Sequence, residues 1–257
     1  MSFQVPSRHN TKLQQLMDRI NADAELLQLW KCANINAVER LNMSDHGEVH
    51  IRIVANAGLR ILRLLVEAGV QPSVVSHYGL TYEEAEVIVV LAACLHDLGI
   101  AVHRGDHERY SLILAYPKAR QLLSEIYPEP TLTIIVAETL HAVIAHRADI
   151  RCLTIEAGVL KVADALDMTQ GRSRIPFEAG QLNIHSVSAL AVEAVQIEKG
   201  AERPVRLAIT LSNSAGIFQV DELLKRKLKN STLVPYVEVE ARIEGETERR
   251  LLEIYKL

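Results

Sequence analysis

From about residue 9 to residue 170 the apolar positions recur at helical spacing, and the connections between runs carry Pro, Gly or a capping residue. Val49, Ile53, Ala57, Ile61 and Leu64 form one such series, with Ser44 and Asp45 as candidate caps and Gly69 and Pro72 as its end. Thr81 and Glu84 make a capping box ahead of the apolar run Val87 to Leu95, and Gly99 follows as a stop. A run without a polar face predicts a helix buried on most sides, and its β-branched start leaves a strand as the alternative. Further helices are predicted over Glu108 to Leu123, bent or broken at Pro117, and over Thr131 to about His146. A last one opens at Thr154 and includes Val159, Leu160, Ala163, Leu166 and Asp167.

Near residue 185 the pattern changes to period two. Ala189 to Ile197, Val205 to Leu211 and Val234 to Ile243 are rich in Val and Ile and alternate, and Leu251 to Tyr255 is a candidate fourth strand. DELLKRKLKN lies between the second and third and reads as a short amphipathic helix. The fold class is therefore mainly α, with residues 1–185 an all-helical unit and residues 186–257 a small α+β domain of β-β-α-β-β order. Gly171 to Gly180 read as an irregular loop that belongs functionally with the helical unit. The basic residues Lys225, Arg226, Lys227 and Lys229 read as a solvated helix face, with contact to an anionic substrate as the alternative, and the strand edges offer a surface for a homo-oligomer.

Composition narrows the classes of function. With 257 residues, 49% of them hydrophobic, the chain can bury a large core, yet no window approaches the roughly 18 uninterrupted apolar residues of a membrane span. The polar start MSFQVPSRHN lacks the apolar stretch of a signal peptide, so a cytoplasmic protein is expected. Cys32, Cys94 and Cys152 stand far apart without a CxxC pair, which points neither to a disulfide framework nor to a thiolate zinc site. A net charge of -4 gives no strong nucleic-acid signal.

The chemistry is carried by histidines. There are ten, and most fall near predicted helix ends in company with acids. His46 and His50 are four apart, on one helix face; His96 and Asp97 are adjacent at the end of the buried helix; His103 and His107 are again four apart; His141 and His146 follow on the next helix. Asp164 sits in the apolar setting KVADALDM, where an unpaired carboxylate would cost several kcal/mol. A salt bridge to Lys161, one turn earlier, is the structural alternative for it. Imidazoles with carboxylates suit Mn, Fe, Co, Ni or Zn better than Mg or Ca.

His50, then His96-Asp97 within LHDLG, then Asp164 within KVADALD resembles the H…HD…D signature of the HD phosphohydrolase superfamily, over roughly residues 40 to 170. The resemblance implies an HD-type helical bundle that hydrolyses phosphate monoesters, phosphodiesters or nucleotides at divalent metals. It implies His50, His96, Asp97 and Asp164 as the metal-binding tetrad, with Asp97 bridging two ions. In the phosphodiesterase branches two further histidines complete a second site. His103, His107, His141 and His146 lie in the corresponding interval; His107 and His141 are preferred, with His103 and His146 as close substitutes, because the spacings do not separate them. His46 is a further candidate ligand, where a related branch uses Glu.

Two departures stand out: Ile100 follows Gly99 where the family often has Lys, and the GYP motif of the cyclic-di-GMP branch is missing, which demotes that substrate. The basic residues expected at a small phosphorylated or nucleotide substrate are Arg104, Arg147, Lys161, Arg172 and Arg174, with Lys161 first because it shares a helix face with Asp164. Two other readings stay open: a nucleotide-binding regulatory module without turnover, and a di-iron oxygenase on a similar scaffold.

Overall fold

The run from Val87 to Leu95 forms the helix around which the others are arranged. The computed structural model describes residues 2–169, 188–244 and 254–256; the expected boundary near residue 185, the loop at 171–180 with Arg172 and Arg174, and the start of the fourth strand lie outside them. The helices are α1 (Thr11–Ala22), α2 (Ala24–Asn34), α3 (Glu48–Glu67), α4 (Ser73–Tyr78), α5 (Tyr82–Leu95), α6 (His107–Leu123), α7 (Thr131–Ala145) and α8 (Ile155–Ala165). A π turn, Ile35–Arg40, follows α2, and a 3-10 turn, Leu98–Ala101, links α5 to α6. The strands are β1 (Val192–Lys199), β2 (Val205–Leu211), β3 (Val237–Ile243) and β4 (Ile254–Lys256), with the short helix α9 (Lys225–Lys229) between β2 and β3.

Helix α5 starts at the capping box: the Thr81 hydroxyl accepts from Glu83 N and the Glu84 carboxylate accepts from Thr81 N at 2.9 Å. Every side chain from Val87 to Leu95 is buried, since α1, α3, α7 and α8 pack around it. Trp30 on α2 closes the far end, its indole N–H donating to Cys94 O at 2.8 Å. A helix enclosed in this way has no room for polar side chains until its last turn. That is where His96 and Asp97 stand.

Two helices differ in detail from expectation. The N-cap position of α3 is Gly47, and Asp45 caps from farther out, its Oδ1 accepting from both Gly47 N and His50 N at 3.2 Å. Helix α6 passes through Pro117 unbroken as a single element. The carbonyl that loses its N–H partner to this proline belongs to Ile113, and both residues lie on the exposed face, where that carbonyl is open to solvent.

The sheet order is β1-β2-β3-β4. β1 and β2 are antiparallel, β2 and β3 parallel, and β3 and β4 antiparallel, so α9 is the crossover that a parallel pair requires. Val205, Leu207, Ile209 and Leu211 alternate inward with Val237, Val239, Ala241 and Ile243 beside them, and this face joins the helical core in one continuous apolar cluster. Among the described residues no helix is long and apolar enough to cross a membrane.

Leu91 is fully buried in α5. Leu91→Ala is expected to destabilise the chain by about 2–5 kcal/mol, read by urea unfolding through the fluorescence of Trp30, the single tryptophan. A loss well under that range would mean that α5 is not the packed centre.

Candidate metal centre

Five helices deliver side chains to one point. His50 comes from the first turn of α3, His96 and Asp97 from the end of α5, His107 from the first residue of α6, His146 from the C-cap of α7 and Asp164 from the last turn of α8. The ligand-capable atoms fall into two groups, His50 with His96 and Asp164, and Asp97 with His107 and His146. Asp97 joins them. Its Oδ2 lies 3.4 Å from His50 Nε2 and 3.3 Å from His96 Nε2, while its Oδ1 lies 3.1 Å from His107 Nε2 and 3.7 Å from His146 Nε2. Asp164 Oδ1 lies 3.5 Å from His50 Nε2 and 3.9 Å from His96 Nε2. A transition metal about 2.0–2.1 Å from each donor sets tetrahedral donors about 3.4 Å apart, so the donor set fits ions of that kind.

The rings are oriented from behind. His96 Nδ1 is 2.9 Å from Ala93 O and His146 Nδ1 is 2.5 Å from Val143 O, so each ring donates to a carbonyl of its own helix. His50 Nδ1 is 2.6 Å from Asp167 Oδ2. His107 Nδ1 lies 3.1 Å from Arg104 O and 2.6 Å from Arg104 Nη1; with a proton on Nδ1 it donates to the carbonyl, and with Nδ1 bare it accepts from the guanidinium. All four rings therefore turn Nε2 toward the centre. Such second contacts fix the tautomer of a metal-binding histidine.

Burial opposes charge throughout the cluster. It would raise the Asp97 pKa, but His96 and the hydrogen bonds from His107, His50 and His96 hold this carboxyl well below the usual range. For Asp164 the same cost is outweighed by Lys227 and by His96, His50 and His146, again leaving the group well below its ordinary value. Burial disfavours charge on His96, yet Asp97 and Asp164 raise its pKa overall. His146 is pushed down to about 3 by burial and by His96, so it is a neutral imidazole, the form that binds metal.

The structure does not gather all the expected residues. His146, not His141, stands beside His107: five residues along a helix is about 140° of rotation, and His141 turns outward, its Nε2 accepting from Leu153 N at 3.0 Å. His103 is exposed and accepts from Gly105 N. His46 packs against His50, ring centroids 5.4 Å apart, with its Nδ1 at Ser44 O, outside the two groups. Lys161 is buried and donates to Ile150 O instead of reaching Asp164, and burial lowers its pKa. Arg147 is held by Asp106 at 3.0 Å and Asp149 at 2.8 Å. Arg104 alone of the expected basic residues that are described touches a ring of the cluster.

Two contributors have roles that the sequence reading did not give them, and Lys227 departs from the solvated helix face expected for it. Asp167 lies three residues after Asp164, on the same side of the chain, and this spacing was its only signal. Lys227 donates to Asp164 Oδ2 from α9, and nothing in its local sequence separates it from the other basic residues there.

Residues 48–169 match the HD domain family. The chain is 42% identical over 231 residues to the Methanocaldococcus jannaschii protein named Uncharacterized protein MJ1020, covering 90% of this chain and 89% of that one. No solved structure matches. The chain belongs to the HD-domain family, and the matched segment contains all six residues of the two groups.

Gly99 of the LHDLG motif shows why the turn after Asp97 needs glycine. A Cβ there would fall on the carbonyl oxygen of His107 and 2.5 Å from Ser111 N, both backbone atoms that cannot swing aside, and Gly99 N already donates to Ser111 Oγ at 2.8 Å. Gly99→Ala is expected to cost about 1–3 kcal/mol or more through overpacking and to displace His107. Thermal unfolding and zinc content per chain check both effects; wild-type values for the two would refute this account of the turn.

Proposed function

We propose that the chain is a metal-dependent phosphohydrolase that splits phosphate esters of a small phosphorylated or nucleotide substrate at a binuclear centre. The observation that carries this reading is Asp97, whose two oxygens face two separate histidine pairs as a bridging carboxylate must. HD domains are generally metal-dependent hydrolases, which agrees with it. His50, His96 and Asp164 would hold one ion and His107 and His146 the other, with Asp97 shared. Two divalent ions of Mn, Fe, Co, Ni or Zn held there would supply Lewis-acid activation of water and of a phosphoryl group.

The chain's own residues do the rest. Asp97 and Asp164 stay anionic and neutralise the charge gathered at the centre. Asp167 keeps the His50 ring from rotating. Arg104 braces the His107 ring from its Nδ1 side, so that Nε2 stays turned to the centre. Phosphoryl transfer demands mainly positioning and charge stabilisation, and these residues provide both.

Asp97→Ala is expected to lower the hydrolysis of a generic phosphomonoester or phosphodiester, assayed with Mn or Ni, by on the order of 10³-fold or more, with loss of the second metal. Wild-type turnover by this variant would refute the mechanism. If the wild-type chain turns over neither ester while its iron-loaded form consumes oxygen, the oxygenase reading replaces it.

The two histidines of α7 give a second test. His146→Ala is expected to lose bound metal and His141→Ala to keep it, measured by elemental analysis of protein purified without chelator. The reverse result would exchange their roles.

A further inference from the structure

Asp164 has a partner from the other end of the chain. Its Oδ1 faces His50 and His96, and its Oδ2 accepts from Lys227 Nζ. The neighbouring base behaves differently: Lys225 pairs with Asp221, 2.6 Å away and one turn earlier, and is 52% exposed against 20% for Lys227. Lys227 is thus the basic residue of α9 that points inward to the centre.

The position of α9 is fixed by contacts of its own. Leu224 and Leu228 are buried beneath it. Asn230 accepts through its carbonyl from Cys152 N at 2.9 Å and donates through its side chain to Ala148 O at 2.8 Å. The Thr232 hydroxyl donates to Thr154 O at 2.9 Å. Where this strap crosses α8 the residue beneath is Gly158, and a Cβ there would stand 3.1 Å from Thr232 N and closer still to its hydroxyl. The β2-to-β3 crossover is therefore pinned along residues 148–158, just before the turn that carries Asp164.

We propose that Lys227 is a positioning residue of the metal centre: by holding Asp164 Oδ2 it presents Oδ1 alone to the histidines, so the C-terminal unit completes the site. This rests on the metal-centre reading above. A carboxylate released from Lys227 would be free to turn both oxygens inward or neither. Outer contacts of this kind change metal affinity by about 10–100-fold when removed.

The experiment is a double-mutant cycle on the full chain, read as Zn2+ affinity in competition with a chromogenic chelator, with circular dichroism as the check on folding. Lys227→Met is expected to weaken Zn2+ binding about 10–100-fold and Lys227→Arg to restore most of it. In an Asp164→Asn background Lys227→Met should change the affinity by no more than about twofold, because the residue acts through Asp164. Lys225→Met, on the same helix, should match wild type. Should Lys227→Met fail to fold, Lys227→Gln, which keeps one donor, serves in its place with an intermediate loss. Unchanged affinity in Lys227→Met, or an equal loss with and without Asp164, overturns the proposal. A wild-type chain that binds no Zn2+ overturns the metal-centre reading and this proposal together, whereas normal Zn2+ binding with wild-type affinity in Lys227→Met overturns this one alone.

Discussion

The Asp97 carboxylate sits at the end of the most deeply enclosed helix of the fold, 7% exposed, with an imidazole pair on each oxygen. An ionised carboxylate in that place costs several kcal/mol unless it is compensated, and the surrounding helices are arranged so that compensation arrives from every side. Because α5 is buried from Val87 to Leu95, polar groups meet it only before and after that run. At the start of α5 Lys12 and Arg63 pair with Glu84 and Glu86, and at its end the histidines and carboxylates of the centre collect. His50, His146 and Asp164 lie at or near helix ends, where they converge with His96 and Asp97.

The signature residues His50, His96, Asp97 and Asp164 were legible through their resemblance to the H…HD…D signature, and the structure gathers those four together. Other members of the site were not. His141 and His146 share one helix end and differ only in which side they face, and the spacing of two residues does not give the direction of the bundle. Lys161 has the right spacing to meet Asp164, yet its long side chain finds Ile150 O in the opposite direction. Lys227 is invisible to any local pattern, since its role depends on a strap formed more than sixty residues later in the chain.

The fold was read more completely than the site. Helix positions followed from periodicity and caps, and the Thr81–Glu84 box was visible as four letters. The two points of difference have separate causes. Pro117 is tolerated because it lies on the wet face of α6, and Asp45 caps α3 at a distance because Gly47 lets the chain enter extended. Alternation in β2 and β3 gave the strands, whereas the parallel pairing between them is set by the crossover through α9 and by the surface of α8 on which it lies.

The residues of the centre are drawn from positions 50 to 164, more than a hundred residues of chain. An ion shared by His50 and Asp164 would act as a removable cross-link that closes this loop, and the entropy lost in closing a loop grows with its length. Its binding free energy is then inseparable from the free energy of folding. For this chain a chelator would then act as a mild denaturant, loosening the attachment of α3 to α8.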